Sequence, residues 1–584
     1  MRIHTAPDGD AEALAARWAP SENHADAEMH REMLLLHVRW FILLMHAVAC
    51  ATSAAVSSCG ARPSRLGFSP YPASGSPRHL ALLDTTSQTF STTQTKSAYA
   101  LQGILAQTCS VLWMKGDASS DFWLPILQQH HGVTLDDSFI TGNYSFNETL
   151  AQLVPLMKTK QYTLFDSGEA SETLSYTLAG ATGALPVALA DEPFAVSQGL
   201  TMLHDCRGQT NAYALEKFAD KLATNMANLH APTAGPQQVD LGVFARGFAI
   251  MDQDLNSYPL VKRVRTPGGS THDKPIGSTL GRPNALTEAI TARMDNESAI
   301  FGWLGSEHPL VAWMGEHGAI THCSGGDPNL STLMNVDAGA NFTQKRPAAR
   351  QAESSGKRGN AGTHTISFVM SDGDSVAYSV DVLPGAKYFG STARGKVPIG
   401  WTLGPALSEI SPASIAAYYR NASINDNFIA GPSGMGYIYP NSYRSMDTFA
   451  QKTAAYMAKS DMKLVNVIAD TLDANWTVPL LAQDQIEAVI YYNYSDYAGM
   501  CHATPGLPMM EGCAPIQWVG NKPVLGGRMN LWSGVGALQH TLHSFTLVER
   551  RHIYVHVFCL TCVCICLRLG VLLRAACVGR KARL

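Results

Sequence analysis

Carboxylates and phenols gather after the apolar runs in the second half of this chain. Ser371-Asp372-Gly373-Asp374 follows the strand-like run Thr365–Met370 and sets two acids one residue apart. In extended backbone they would share a side. Like charges that close raise one proton affinity, which suits a general acid, or they bind a cation. Asp470 and Asp473 follow the uncharged run Leu464–Ala469. Glu409 follows Trp401 in a Gly/Pro/Ser-rich loop, Glu307 follows Gly302-Trp303, and Asp496 stands between Tyr494 and Tyr497. For each Asp the plain alternative is a helix cap. Cleavage of a glycosidic bond needs two carboxyl groups, about 5–5.5 Å apart for retention and about 6.5–9.5 Å for inversion. Asp372, Asp374, Asp470, Glu409 and Glu307 are therefore the catalytic candidates.

The heptapeptide Gly434-Met435-Gly436-Tyr437-Ile438-Tyr439-Pro440 follows the apolar run 428–431 and reads as the loop after a buried strand. Gly434 and Gly436 permit a tight turn or close approach to a ligand. Tyr437 and Tyr439 point to one side if the segment is extended. A ring face plus a hydroxyl suits a sugar, which has apolar C–H faces and many hydroxyls. Trp303, Trp401, Tyr492 and Tyr494 are further stacking candidates. Other chemistries fit less well. Gly431-Pro432-Ser433-Gly434-Met435 misses the last glycine of a nucleophile elbow. His308, His317 and His322 lack metal-ligand spacing and read as surface or packed residues. Cys559-x-x-Cys562 is half of a zinc site with no second half.

These residues need a scaffold, and the hydrophobic rhythm provides one. From residue 78 to about 240, short apolar strands alternate with helical stretches, a βαβ rhythm that predicts a parallel sheet covered by helices. Residues 241–343 connect, and 344–362 have no hydrophobic rhythm and read as a disordered linker. From 363 to 535, six strand runs recur about every thirty residues with polar groups at their carboxyl ends, the spacing of a (β/α) barrel. The expectation is an α/β protein: a Rossmann-like N-terminal domain, then a TIM-like barrel that stops short of the eight strands closure needs. Residues 536–584, Cys-rich and ending in basic residues, read as a divergent tail in place of the last strands.

The 584 residues carry a formal net charge of −4, with 46% hydrophobic and 15% charged residues. This is a globular composition with no basic footprint for nucleic acid. Trp40 to Ala49 is apolar, too short to span a bilayer comfortably, and precedes small residues. It predicts a secretory signal within a leader and spacer covering 1–77. Eight Asn-x-Ser/Thr sequons, at Asn143, Asn147, Asn296, Asn329, Asn341, Asn421, Asn475 and Asn493, agree with secretion. The cysteines show no disulfide scaffold, although Cys501 and Cys513 could close one loop.

The heptapeptide spells the signature of the GxGYxYP family of putative glycoside hydrolases, and the chain resembles that family over roughly residues 78 to 535. Other blocks arrive in order: Ser371–Ser375, Gly400-Trp401-Thr402, Val465–Ile468, Tyr491–Tyr494 and Lys522-Pro523-Val524. The resemblance implies sugar processing by an N-terminal α/β region and a barrel-like C-terminal domain. It hands over no catalytic residues.

The expectation is a secreted glycoside hydrolase. Paired carboxylates do the chemistry, and Tyr437, Tyr439, Gly434, Gly436, Trp401, Tyr494 and Asp496 line the sugar subsite. No cofactor, nucleic acid or stable membrane span is expected. A carbohydrate-binding protein without chemistry, and a metal-dependent deacetylase using Asp372 and Asp374, are the alternatives.

Overall fold

The computed structural model describes residues 59–63, 65–66, 71, 73–84, 90–116, 118–135, 145–230, 238–251, 255–265, 271–283, 285–304, 307–324, 329–339, 341–346, 365–493, 516–527 and 553–558. The expected signal segment, Tyr494, Asp496, Cys501 and Cys513, and most of the expected linker and tail, lie outside the described residues.

The N-terminal half builds three small parallel sheets. β1 (His79–Asp84) lies between β2 (Leu112–Lys115) and β3 (Thr134–Leu135). β4 (Gln161–Phe165) lies between β5 (Leu185–Ala188) and β6 (Thr201–Asp205). β7 (Met226–His230) and β8 (Phe248–Met251) precede an antiparallel hairpin, β9 (Leu255–Arg265) and β10 (Thr271–Pro283). β11 (Ala299–Phe301) and β12 (Ile320–His322) then complete a sheet in the order β12-β11-β7-β8. The expected βαβ rhythm is present, divided among separate sheets. The third sheet takes strands from both sides of residue 240, because β7 and β11 pair in parallel despite their separation in the chain.

The C-terminal half forms one larger sheet from β13 (Thr365–Met370), β14 (Ile399–Leu403), β15 (Asp426–Ala430), β16 (Leu464–Ala469), β17 (Ala488–Asn493), β18 (Ile516–Val519), β19 (Lys522–Gly526) and β20 (Ile553–Phe558). The order is β18-β19-β17-β16-β15-β14-β13-β20, parallel except for the β18–β19 hairpin. Six strands fall on the six runs read from the sequence. β20, within the segment expected to have diverged, pairs with β13 from Thr365↔Ile553 to Met370↔Phe558. No ladder among the described residues joins β18 or β19 to β20, so the sheet does not close into the expected barrel.

Parallel pairing brings the carboxyl ends of β13, β15, β16 and β17 to one edge, which is where ligand sites of such sheets form. The two faces of the sheet bury different partners. Phe428, Val467, Val489 and Tyr491 join the main core, while Val369, Ile429, Ile468 and Ile490 pack with Val311 of the helix Glu307–Glu316. This alternation follows from the period of two along a strand. It seats that helix on the sheet with its first turn at the strand ends.

A disulfide joins Cys59 to Cys109, with Cα atoms 5.9 Å apart. This corrects the expectation of no disulfide framework. Fifty residues separate the partners, so neither spacing nor local motif marks them. Arg65, six residues after Cys59, donates to the backbone carbonyls of Glu409 and Met334.

Candidate active site

The heptapeptide forms a loop stitched to a neighbouring sheet. Tyr437 exchanges both backbone hydrogen bonds with Thr321 of β12, at 2.9 and 3.1 Å. Ser433 Oγ accepts from the Ile468 N–H at 3.2 Å, fixing the loop to β16. Of the two expected roles for the glycines, a tight turn or a close ligand approach, the space around their Cα atoms speaks for the turn. A Cβ at Gly436 would stand 2.4 Å from Ile320 and 2.7 Å from His322. Gly434 has φ +129°, and a Cβ there would meet Thr453 and Phe449 at 2.9–3.0 Å. Protein, not ligand, presses on both.

The two tyrosines converge on Glu307. Tyr437 donates its hydroxyl to Glu307 Oε1, Tyr439 lies 3.2 Å from the same oxygen, and the two phenol oxygens are 3.1 Å apart. Glu307 is the first residue of its helix, where a carboxylate is favoured by the helix dipole. Both phenols are buried. Burial first, then Tyr439, Glu307 and Asp374, hold the Tyr437 hydroxyl well above its ordinary range, so it stays a proton donor. The Trp303 ring lies parallel to that of Tyr437, with centroids 6.4 Å apart.

Asp374 completes the acidic mouth. It is half-buried in the loop after β13. Burial, then the charge of Asp372, then that of Glu307, raise its carboxyl well above the ordinary 3.8. Asp372 adopts φ +73°, a left-handed conformation that costs a non-glycine residue free energy. The pair therefore does not share a side of an extended segment as expected. The neighbouring Ser371 hydroxyl lies 2.5 Å from the Tyr492 hydroxyl, which makes Tyr492 a buried support at the end of β17, not a stacking face.

Asp470 emerges from β16 into a different pairing. Its two oxygens lie 2.9 and 3.0 Å from His308 Nε2. The His308 ring packs on Tyr439 with centroids 4.7 Å apart. His308 adjoins Glu307 in the first helical turn, so the Asp470 pair borders the acidic mouth. Sequence reading set His308 aside as a surface or packed residue. Its position beside Glu307 was the available signal, but its partner lies 162 residues away. Asp473 caps the helix Ala474–Leu481 through the Asn475 N–H at 2.9 Å, as the plain alternative for an Asp required.

Two candidates fall elsewhere. Glu409 is fully buried and serves as a structural carboxylate. It accepts from Lys459 at 3.2 Å, Tyr456 at 3.1 Å and the Leu66 N–H at 2.7 Å. Trp401 is also fully buried, donates to Asp426 at 2.8 Å and packs edge-on against Phe389, so its face cannot receive a sugar. Trp401 lies within β14 and Glu409 follows it, and the end of that strand is enclosed by core. Among the described residues, no group of three or more His, Cys, Asp or Glu side chains is arranged to hold a metal ion.

Three domain descriptions of one family match the chain: the GxGYxYP putative glycoside hydrolase C-terminal domain over residues 362–558, the GxGYxYP third domain over 224–335, and the GxGYxYP_N second domain over 160–222. The chain belongs to the GxGYxYP family. The C-terminal match includes β20, and the third-domain match includes Glu307 and His308. The site thus draws on two of the family's domains. No curated protein matches. Among solved structures, the crystal structure of a putative hydrolase from Bacteroides thetaiotaomicron VPI-5482 is similar in fold, with a TM-score of 0.68 at 21% identity, covering 85% of this chain and 91% of that one. Among the described residues no helix is long and apolar enough to cross a membrane.

Proposed function

We propose that this GxGYxYP protein is a secreted glycoside hydrolase whose C-terminal sheet works as an incompletely closed (β/α) barrel. Asp374 is the general acid, and Glu307 serves the opposite side of the scissile bond as the second carboxylate. One observation carries the reading: burial, Asp372 and Glu307 push the Asp374 carboxyl well above its ordinary range, while Glu307 accepts hydrogen bonds from two phenols. Paired carboxyls in unlike environments are what acid-catalysed glycoside cleavage uses. Tyr437 and Tyr439 hold Glu307 from behind, and the half-buried Trp303, parallel to Tyr437, gives the sugar an apolar wall. The family's description as putative glycoside hydrolases and the hydrolase of similar fold agree with this chemistry.

The Cys59–Cys109 disulfide suits an oxidising compartment, which supports secretion. Asn147, Asn296, Asn341, Asn421 and Asn475 are exposed and open to glycosylation. Asn329 is buried, with Oδ1 accepting from the Met114 N–H, and is closed to it.

The test is release of reducing ends from a panel of polysaccharides and of nitrophenol from para-nitrophenyl glycosides. Asp374→Asn and Glu307→Gln should each lower kcat by about 10²- to 10⁴-fold on any substrate the parent cleaves. Unchanged rates in both variants would overturn the reading.

A further inference from the structure

We infer that Asp470 does no proton chemistry on substrate but positions His308, and that His308 is a substrate-contacting residue beside Glu307. Both oxygens of Asp470 face one imidazole nitrogen, at 2.9 and 3.0 Å. A carboxylate only accepts, so Nε2 is a protonated, donating nitrogen. The carboxylate is itself set in place. Asn441 Oδ1 accepts from the Asp470 N–H at 2.9 Å and the Thr471 N–H at 3.2 Å. Asn441 Nδ2 donates to Thr471 Oγ1 at 2.8 Å and to Asp473 Oδ2 at 2.5 Å. Asn441 follows the heptapeptide directly, so one loop supplies Tyr437 and Tyr439 to Glu307 and, through Asn441, orients the carboxylate that holds His308.

The pair is reachable from outside. The His308 side chain is 36% exposed and that of Asp470 37%, while the tyrosines behind them are buried. An imidazole oriented by Asp470, lying against Tyr439 and next to Glu307 in the chain and partly exposed, is placed to contact a sugar hydroxyl. His308 then selects the sugar by its hydroxyl pattern, since losing one partner of such a contact leaves the other unpaired. The contact with sugar rests on the hydrolase reading, whereas the positioning of His308 by Asp470 does not.

A mutant cycle on the full chain, assayed with para-nitrophenyl glycosides, separates the roles. His308→Gln and Asp470→Asn should each lower kcat/KM by about ten- to a hundredfold, with most of the loss in KM. The double variant should be no worse than His308→Gln alone, because Asp470 acts only through the imidazole. Asp470→Glu should recover part of the loss. Thermal midpoints close to the parent's would separate this from a folding defect. If Asp470→Asn keeps its full effect in the His308→Gln background, Asp470 acts on substrate itself and the inference is overturned. Histidine-selective ¹⁵N NMR, with His308 assigned by difference from His308→Gln, gives a readout independent of activity. The His308 signals should change tautomer or exchange behaviour in Asp470→Asn. If the parent cleaves no glycoside the hydrolase reading fails, and the NMR arm still decides: an imidazole spectrum unmoved by Asp470→Asn overturns the positioning role, and a shifted one upholds it.

Discussion

Glu409 and Asp374 both follow apolar strands of one sheet, yet they meet neighbours of opposite character. Glu409 is enclosed with a cation, a phenol and a backbone N–H, all of which donate to it. Asp374 meets two other carboxylates, and with burial they push its carboxyl well above the ordinary range. Burial alone does not separate the proposed acid from a structural carboxylate. The sign of the partners does, and those partners come from distant parts of the chain: Leu66 and Lys459 for Glu409, Glu307 for Asp374.

The comparison can be broken most sharply at Glu409. Glu409→Ala leaves Lys459 buried without that partner and should cost about 3–5 kcal/mol of stability, read from denaturant midpoints. A variant as stable as the parent but catalytically dead would move Glu409 to the other side of the comparison. Gly436→Ala should cost about 1–3 kcal/mol, since the added methyl meets Ile320 and His322 on β12. A full-strength melt from that variant would show that the loop has room for a ligand after all.

The smallest effect sharpens the contrast through pH. The folded Asp374 carboxyl keeps its proton to higher pH than the unfolded one, whose ordinary value is 3.8. Between those values the native state binds more protons, so this group's contribution to stability falls as pH rises. Asp374→Asn cannot ionise and should melt above the parent at neutral pH, with the gap closing as pH falls to 3.8 and below. A gap of opposite sign would mean that Asp374 is charged and stabilised in the folded protein.

Much of this was legible in the residues. The heptapeptide marked the loop, and alternating apolar runs gave the six parallel strands whose carboxyl ends carry Asp374, Tyr437 and Asp470. Glu307 was legible as an acid after Gly302-Trp303, although it opens a helix and does not end a strand. What stayed hidden depended on long-range contact. His308 looked idle because its aspartate is 162 residues away. Trp401 looked like a sugar platform because sequence does not say which strand end is roofed by core. Glycine's small size was read as room for a ligand, when Ile320 and His322 of another sheet already use the space. The Cys59–Cys109 bond joins a strap to a helix end with no motif at either.

The two-way backbone bridge between Thr321 and Tyr437 makes the proposed site a joint holding of two family domains. The phenols come from one domain and the glutamate they grip from the other. Expressed alone, a fragment spanning 362–558 would keep the signature tyrosines and Asp374 but have no Glu307 to act with, and a fragment spanning 224–335 would carry that glutamate without its phenols. Neither half should cleave anything, and mixing them should restore turnover only as far as the shared edge re-forms.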